Sequence, residues 1–176
     1  MSRDHIFAVT IVGMLLLSAI LGHIFFFKVP LGAEPGTNFG KEYSMIVTDY
    51  ANTPVHLYSW RRQPLLVYSW ASWCPYCADE LKNLARLKSV YGDKITILAI
   101  NRAEPRVAAQ AYSDKLNIAQ YLTLLLDPED RYFKAMGGYA MPELILVNSH
   151  GYVTYHQHGP IQPQVVDDEI KQTIAH

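Results

Sequence analysis

Cys74 and Cys77 are the only cysteines of this 176-residue chain, and two residues separate them in Trp73-Cys74-Pro75-Tyr76-Cys77. Thiols at this spacing can close and reopen a disulfide, so the pentapeptide reads as a dithiol redox site. The attacking species in disulfide exchange is the thiolate, and a free cysteine, with a pKa of about 8.5, supplies little of it at neutral pH. A helix starting at Pro75 would hold Cys74 at its positive end, where unpaired backbone N–H groups favour an anion. Cys74 is therefore the expected nucleophile. Cys77, one turn further in, is the expected resolving thiol, close to Cys74 but less accessible. Two other readings stand beside this one. A purely structural bridge would close a loop too small to remove much chain entropy. A zinc site would need two more ligands, and there is no second cysteine pair to supply them. His156 and His158 share a strand face and are the candidates; the simpler reading makes them solvated histidines on an edge hairpin.

The elements that must position these thiols follow from pattern. Segments rich in β-branched and aromatic residues alternate with helical ones, as in βαβ units around a largely buried sheet. Met45 to Thr48 and Val55 to Trp60 read as strands of an opening hairpin around Asn52-Thr53-Pro54. Leu65 to Trp70 is a near-continuous apolar run that fits a central strand and delivers the chain to Cys74. From Pro75 to about Val90 the stripe Leu81, Leu84, Ala85, Leu87 predicts a helix, ended by Gly92. Ile95 to Ile100 is a second buried strand, Glu104 to Leu116 a helix opened by Pro105, and Leu122 to Leu126 a short strand. Asp127-Pro128-Glu129 predicts an N-cap with proline at the first helical position of a short helix, which stops at Gly137-Gly138. Leu144 to Val147 and Tyr152 to His156 bracket a turn at 148–151, and a helix from about Gln164 to Ile174 closes the domain.

Ahead of all this, Ile6 to Phe27 is a run of 22 residues without Asp, Glu, Lys or Arg. That length spans a hydrocarbon core of about 30 Å as a helix. A cleavable signal peptide is the competing reading, but its apolar region is usually about 7 to 15 residues, and Leu31-Gly32-Ala33 puts a bulky residue where cleavage wants a small one. The expected organisation is an anchor over 6–27, a tether over 28–42 and one globular domain over 43–176. Arg3 and the amino terminus, opposed by Asp4 and followed only by Lys28, give a modest bias towards a cytoplasmic N-terminus and an exported domain. Fifteen basic and 16 acidic side chains leave a net charge of -1, which offers no electrostatic case for nucleic acid.

Trp70-Ala71-Ser72-Trp73-Cys74-Pro75-Tyr76-Cys77, with Glu80 three residues on, resembles the active-site segment of membrane-anchored thioredoxin-like proteins of the TlpA/ResA class. The segment from Gly137 to Asn148, Gly-Gly-Tyr-Ala-Met-Pro-Glu-Leu-Ile-Leu-Val-Asn, followed by Gly151, Tyr155 and Gly159, is similar to the Gly-Val-Tyr-Gly-Ala-Pro-Glu-Thr-Phe-Leu-Ile-Asp segment of the cytochrome c maturation reductases, CcmG/DsbE. The resemblance covers the anchor and nearly the whole exported domain. It implies a thioredoxin fold with an N-terminal β-hairpin extension and a central insertion, and a cis peptide before Pro142 facing the cysteines; the residues alone leave open an ordinary trans proline starting a strand. A cis proline there would free the backbone of Met141 to pair with an extended substrate.

The site expected on these grounds comprises Cys74 and Cys77 for the chemistry, and Trp73, Pro75, Tyr76, Met141 and Pro142 to meet substrate. Glu80 and Glu143 are its candidate carboxylates for tuning the thiols or relaying protons. For Glu80 the alternative is a solvated residue favourable to the helix dipole, and for Trp73 simple core packing. Leu144 stands where the family pattern has Thr, Asn148 where it has Asp, and Gly138-Tyr139-Ala140 matches it loosely. The implied activity needs no cofactor and no metal beyond the cysteine pair. Its partners would be a membrane electron donor of the DsbD/CcdA type and a disulfide-bearing client such as apocytochrome c or a maturation protein, at the periplasmic face of a bacterial inner membrane. Two rival functions remain: an oxidase or isomerase of exported proteins, and a copper-handling protein, either a thiol reductase for a copper site or a copper chaperone, using the cysteines with His150, His156 or His158.

Overall fold

The computed structural model describes residues 33–39, 45–60 and 62–175. The anchor expected over 6–27 lies outside the described residues, and none of the helices among those residues is long and apolar enough to cross a membrane.

Seven strands form one mixed sheet: β1 (Ile46–Asp49), β2 (Pro54–His56), β3 (Leu65–Trp70), β4 (Thr96–Arg102), β5 (Thr123–Asp127), β6 (Glu143–Val147) and β7 (Val153–His158), in the order β2-β1-β5-β4-β3-β6-β7. β3 is an interior strand, next to the central β4, parallel to it and antiparallel to β6, and every one of its residues is buried. The continuous apolar run requires this, because a strand covered on both faces has no polar side to show. Leu66, Tyr68 and Trp70 point into one core layer with Leu81, Leu84 and Leu87, whereas Leu65 and Val67 join the other with Leu98, Ile100 and Tyr132. The helices are α1 (Cys77–Tyr91), α2 (Arg106–Leu116), α3 (Arg131–Ala135) and α4 (Pro163–Ala175). β1 and β2 form the expected opening hairpin, and β1 also pairs with β5.

Three expectations about local structure change. The second hairpin strand stops at His56, and Leu57 to Trp60 form a 3-10 turn that buries Leu57. Residues 33–39, expected to be tether, pack along the start of β7: Gly36 N–H donates to the Val153 carbonyl, Val153 N–H to that of Thr37, and Ala33 and Phe39 are buried in the core. Two apolar side chains and a set of backbone partners hold this segment on the domain, and Pro35-Gly36 forms a turn within it, closed by the Thr37 N–H on the Glu34 carbonyl.

The third change is at α3. Asp127 is not its N-cap by position, since the flanking residue is Asp130, in the left-handed region at φ 61°. Asp127 nonetheless caps the helix from the end of β5, its carboxylate accepting N–H bonds from Arg131 (2.9 Å), Tyr132 (2.9 Å) and Phe133 (3.3 Å). Pro128 and Glu129 fill the connecting turn. Asp127→Ala will leave those donors without an acceptor beside a buried carboxylate site, a loss of about 2–4 kcal/mol on capping and desolvation grounds, read by denaturant unfolding.

Beyond α3, Gly137 takes a positive φ of 79° and stops the helix. A side chain at Gly138 would come within 2.6 Å of the Phe133 ring, so glycine is what lets the chain turn back toward Pro142.

Candidate active site

β3 ends at Trp70, and four residues later the chain reaches Cys74 at the head of α1. Cys74 and Cys77 are joined in a disulfide. Regular helix begins at Cys77 rather than Pro75; Pro75 and Tyr76 make the turn before it, closed by the Cys77 N–H on the Cys74 carbonyl, and the Glu80 N–H on the Tyr76 carbonyl opens the helical ladder. Cys74 thus caps the turn that opens into α1, near enough to its N-terminal amides to gain from the dipole. Cys74 is 2% exposed and Cys77 0%. The order is the expected one, but the difference is small, because the bonded sulfurs belong to the same core layer as Leu81 and Leu144.

Around them stands apolar surface. Trp73 is 60% exposed and Tyr76 53%, so Trp73 is not core packing but presents an aromatic surface to solvent. Pro75 is exposed beside them. A groove of about 460 Å³ runs from Pro75 and Tyr76 past Glu80 to Ile161. The peptide between Met141 and Pro142 is cis, as the resemblance implies. Met141 packs against the core layer that holds both cysteines, and Pro142 leads directly into β6, whose first residue pairs with Ser69 near the end of β3. Proline and cysteines therefore lie at the same end of the sheet.

The loop before Cys74 is held by a residue whose role the sequence analysis did not identify. Glu104, buried at the end of β4, accepts from the Ser72 backbone N–H (2.7 Å), the Ser72 hydroxyl (2.5 Å) and the Asn101 amide (2.7 Å). A lone glutamate at a helix start carries no sign of this; its bonds to Ser72, two residues before Cys74, become visible only when β4 is laid beside β3. Glu104→Ala will release Ser72 and leave three donors unmet, with an expected cost of about 2–4 kcal/mol in stability. Thermal unfolding measures that loss, and the rate at which the Cys74–Cys77 bond is reduced by a small dithiol should change with it.

The two expected carboxylates occupy different places. Glu80 is half-buried, accepting from the Tyr68 hydroxyl (3.0 Å) and the Ile161 backbone N–H (3.1 Å). Burial pushes its pKa up, and the two hydrogen bonds pull it back only in part. It is therefore not the solvated first-turn residue of the alternative reading. Glu143 is 1% exposed and accepts from the Ser69 hydroxyl (2.9 Å) while its other oxygen lies 3.0 Å from His156 Nε2 and 3.6 Å from His158 Nδ1. The histidines are not solvated: their side chains are 8% and 16% exposed. β7 is the edge strand, yet the pleat turns alternate residues inward, and Glu143 supplies a buried polar partner there. Burial and the neighbouring His156 push the His158 pKa down. His150, by contrast, is exposed in the 148–151 turn, where Asn148 Oδ1 accepts from the His150 and Tyr152 N–H groups, the service an aspartate would give.

A mixed sheet with helices on both faces, a Cys-x-x-Cys pair at a strand-to-helix junction and a cis proline at the same sheet end define the thioredoxin-like class. The Redoxin family model matches residues 27–174, and the chain belongs to that family. Among curated relatives, it is 32% identical over 117 residues to the thiol:disulfide interchange protein DsbE of Allochromatium vinosum, covering 64% of this chain and 61% of that one. To the protein of the same name from Escherichia coli K12 it is 29% identical over 109 residues, 62% of this chain and 57% of the relative. The aligned part thus spans about three-fifths of the length of these relatives. The structure of a thioredoxin-family thiol:disulfide interchange protein from Chlorobium tepidum superposes with a TM-score of 0.65 at 20% identity, covering 81% of this chain and 98% of that one.

Proposed function

We propose that this chain is a protein-disulfide oxidoreductase working as a reductase, and that its clients are disulfides in apocytochrome c or in a cytochrome c maturation partner. The observation that carries the reading is the Cys74–Cys77 bond at the head of α1, flanked by exposed Trp73 and Tyr76. In the reduced form Cys74 thiolate attacks one sulfur of the client disulfide, and the other client sulfur leaves as a thiolate that takes up a proton. Cys77 then gives up its proton and attacks Cys74 Sγ, releasing the second client thiolate and closing the Cys74–Cys77 bond. Two electrons pass to the client, and a dithiol donor of the DsbD/CcdA type restores the pair. We assign the tuning or relay of the Cys77 proton to Glu80, which bonds Tyr68 in the core layer of the cysteines. Glu143, expected to share that role, instead meets Ser69 on the opposite face of the sheet, with the parity of Leu65 and Val67. Met141 with Pro142 is the backbone to pair with an extended client.

This role puts the domain on the periplasmic side of a bacterial inner membrane, held there by the apolar segment 6–27. The similarity to proteins named DsbE supports the client class. Trapping the cellular thiol state by acid quench and alkylation tests the direction of electron flow: a reductase keeps Cys74 and Cys77 mostly reduced, and a pair found steadily oxidised overturns the reading. A reduction potential near that of strong oxidants, about -120 mV, would move the protein to the oxidase class instead.

A further inference from the structure

Where β6 begins and β7 ends, Glu143, His156 and His158 bring one carboxylate oxygen and two ring nitrogens within 4.8 Å of one another. We propose that these three residues form a binding site for a divalent transition-metal ion of the zinc class, separate from the cysteine pair. Three features of the cluster carry this.

The first is ligand type and spacing. Two imidazoles and one carboxylate suit zinc, and bonds of about 2.0–2.1 Å in tetrahedral arrangement put neighbouring donor atoms about 3.3 Å apart. Glu143 Oε1 lies 3.0 Å from His156 Nε2 and 3.6 Å from His158 Nδ1, on either side of that value.

The second is orientation from outside the cluster. His156 Nδ1 is 2.9 Å from the Ala33 carbonyl, which can only accept, so Nδ1 carries a proton and Nε2 faces Glu143. The Ser69 hydroxyl donates to Glu143 Oε2 and leaves Oε1 toward the two rings. Outer hydrogen bonds of this kind fix the tautomer and direction of metal-ligating side chains.

The third is an unmet atom. His158 Nδ1 is buried and has no hydrogen-bond partner among the described residues, although it lies 3.6 Å from the same carboxylate oxygen. A buried ring nitrogen left without a partner is costly, and an ion pair between Glu143 and His156 alone does nothing for it. A metal ion would take the place of the proton that Glu143 and His156 share and give His158 its missing partner. Three protein ligands leave a further coordination position, and the exposed Tyr139, whose ring lies 4.2 Å from that of His158, marks the solvent side.

The test uses the full chain in detergent, stripped of metal and kept oxidised so that the sulfurs of Cys74 and Cys77 are bonded to each other. Zn²⁺ followed by calorimetry should bind at one ion per chain. Ser69→Ala should weaken binding by about 10-fold and His158→Gln by at least about 100-fold. A reading that needs no variant to fold comes from wild-type protein: paramagnetic Co²⁺ should broaden the ring resonances of His156 and His158 before those of His56 and His150. No stoichiometric Zn²⁺ binding, undiminished binding in His158→Gln, or first broadening at other histidines would each overturn the site. The outcome is independent of the direction of electron flow, so it stands or falls apart from the reductase reading.

Discussion

Cys77→Ser will abolish turnover and accumulate a covalent complex with client protein, whereas Cys74→Ser will abolish turnover and accumulate nothing. The asymmetry follows from where the two sulfurs stand. Cys74 opens the turn ahead of α1 and is the sulfur proposed to meet a client disulfide; Cys77 is fully buried in the first helical turn, behind it. Without Cys77 the mixed disulfide on Cys74 has no intramolecular attacker, and its lifetime is set by slow exchange with outside thiols. Non-reducing gels of cells expressing each variant, with the trapped species identified by mass spectrometry, check this and name the client. Trapping on Cys74→Ser rather than on Cys77→Ser would reverse the assigned roles.

Glu143→Ala is expected to be the most damaging single change outside the cysteines. Glu143 meets Ser69 and His156 in a buried setting, with His158 just beyond hydrogen-bond range. His156 Nδ1 donates to the Ala33 carbonyl, so one further proton is shared between Nε2 and the carboxyl group. Removing the carboxylate strands a buried imidazole and a buried hydroxyl and opens a small cavity. Breaking a buried pair from one side costs about 3–5 kcal/mol. For a domain of this size that corresponds to a fall of roughly 10 °C in Tm, which differential scanning calorimetry reads directly. The damage should spread to residues 33–39, since the Ala33 carbonyl loses an ordered donor; faster amide exchange at Gly36 and Phe39 is the expected sign. Glu143→Gln, which keeps the volume and one acceptor oxygen, should cost less than half as much.

Local pattern sufficed for the order of the elements. Leu65 to Trp70 fits a strand buried on both faces by its length and apolar continuity, and the stripe from Leu81 to Leu87 has the spacing of a helix with one buried face. The Cys74–Cys77 pairing was equally readable, since the two residues that form the disulfide are neighbours in sequence. The cis peptide before Pro142 was legible through resemblance alone, as nothing in a single X-Pro step distinguishes the isomers.

What pattern could not supply are the contacts between residues far apart in the chain. Ser72 and Glu104, Ser69 and Glu143, and Glu143 with His156 and Ala33 meet because β4 and β6 flank β3 and because residues 33–39 lie along β7. Asp127 was marked as a cap from its neighbours, but its actual service, from strand end to helix start, depends on a left-handed residue at Asp130. The two histidines read as solvated because an edge strand usually has a wet face. Burial is a property of what packs on that face, and here a carboxylate from the neighbouring strand makes burying them affordable. Sequence by itself determined which two residues form the disulfide, because they are neighbours in the chain; the tertiary structure decided which buried polar groups meet, because only the sheet order and the pleat set who faces whom.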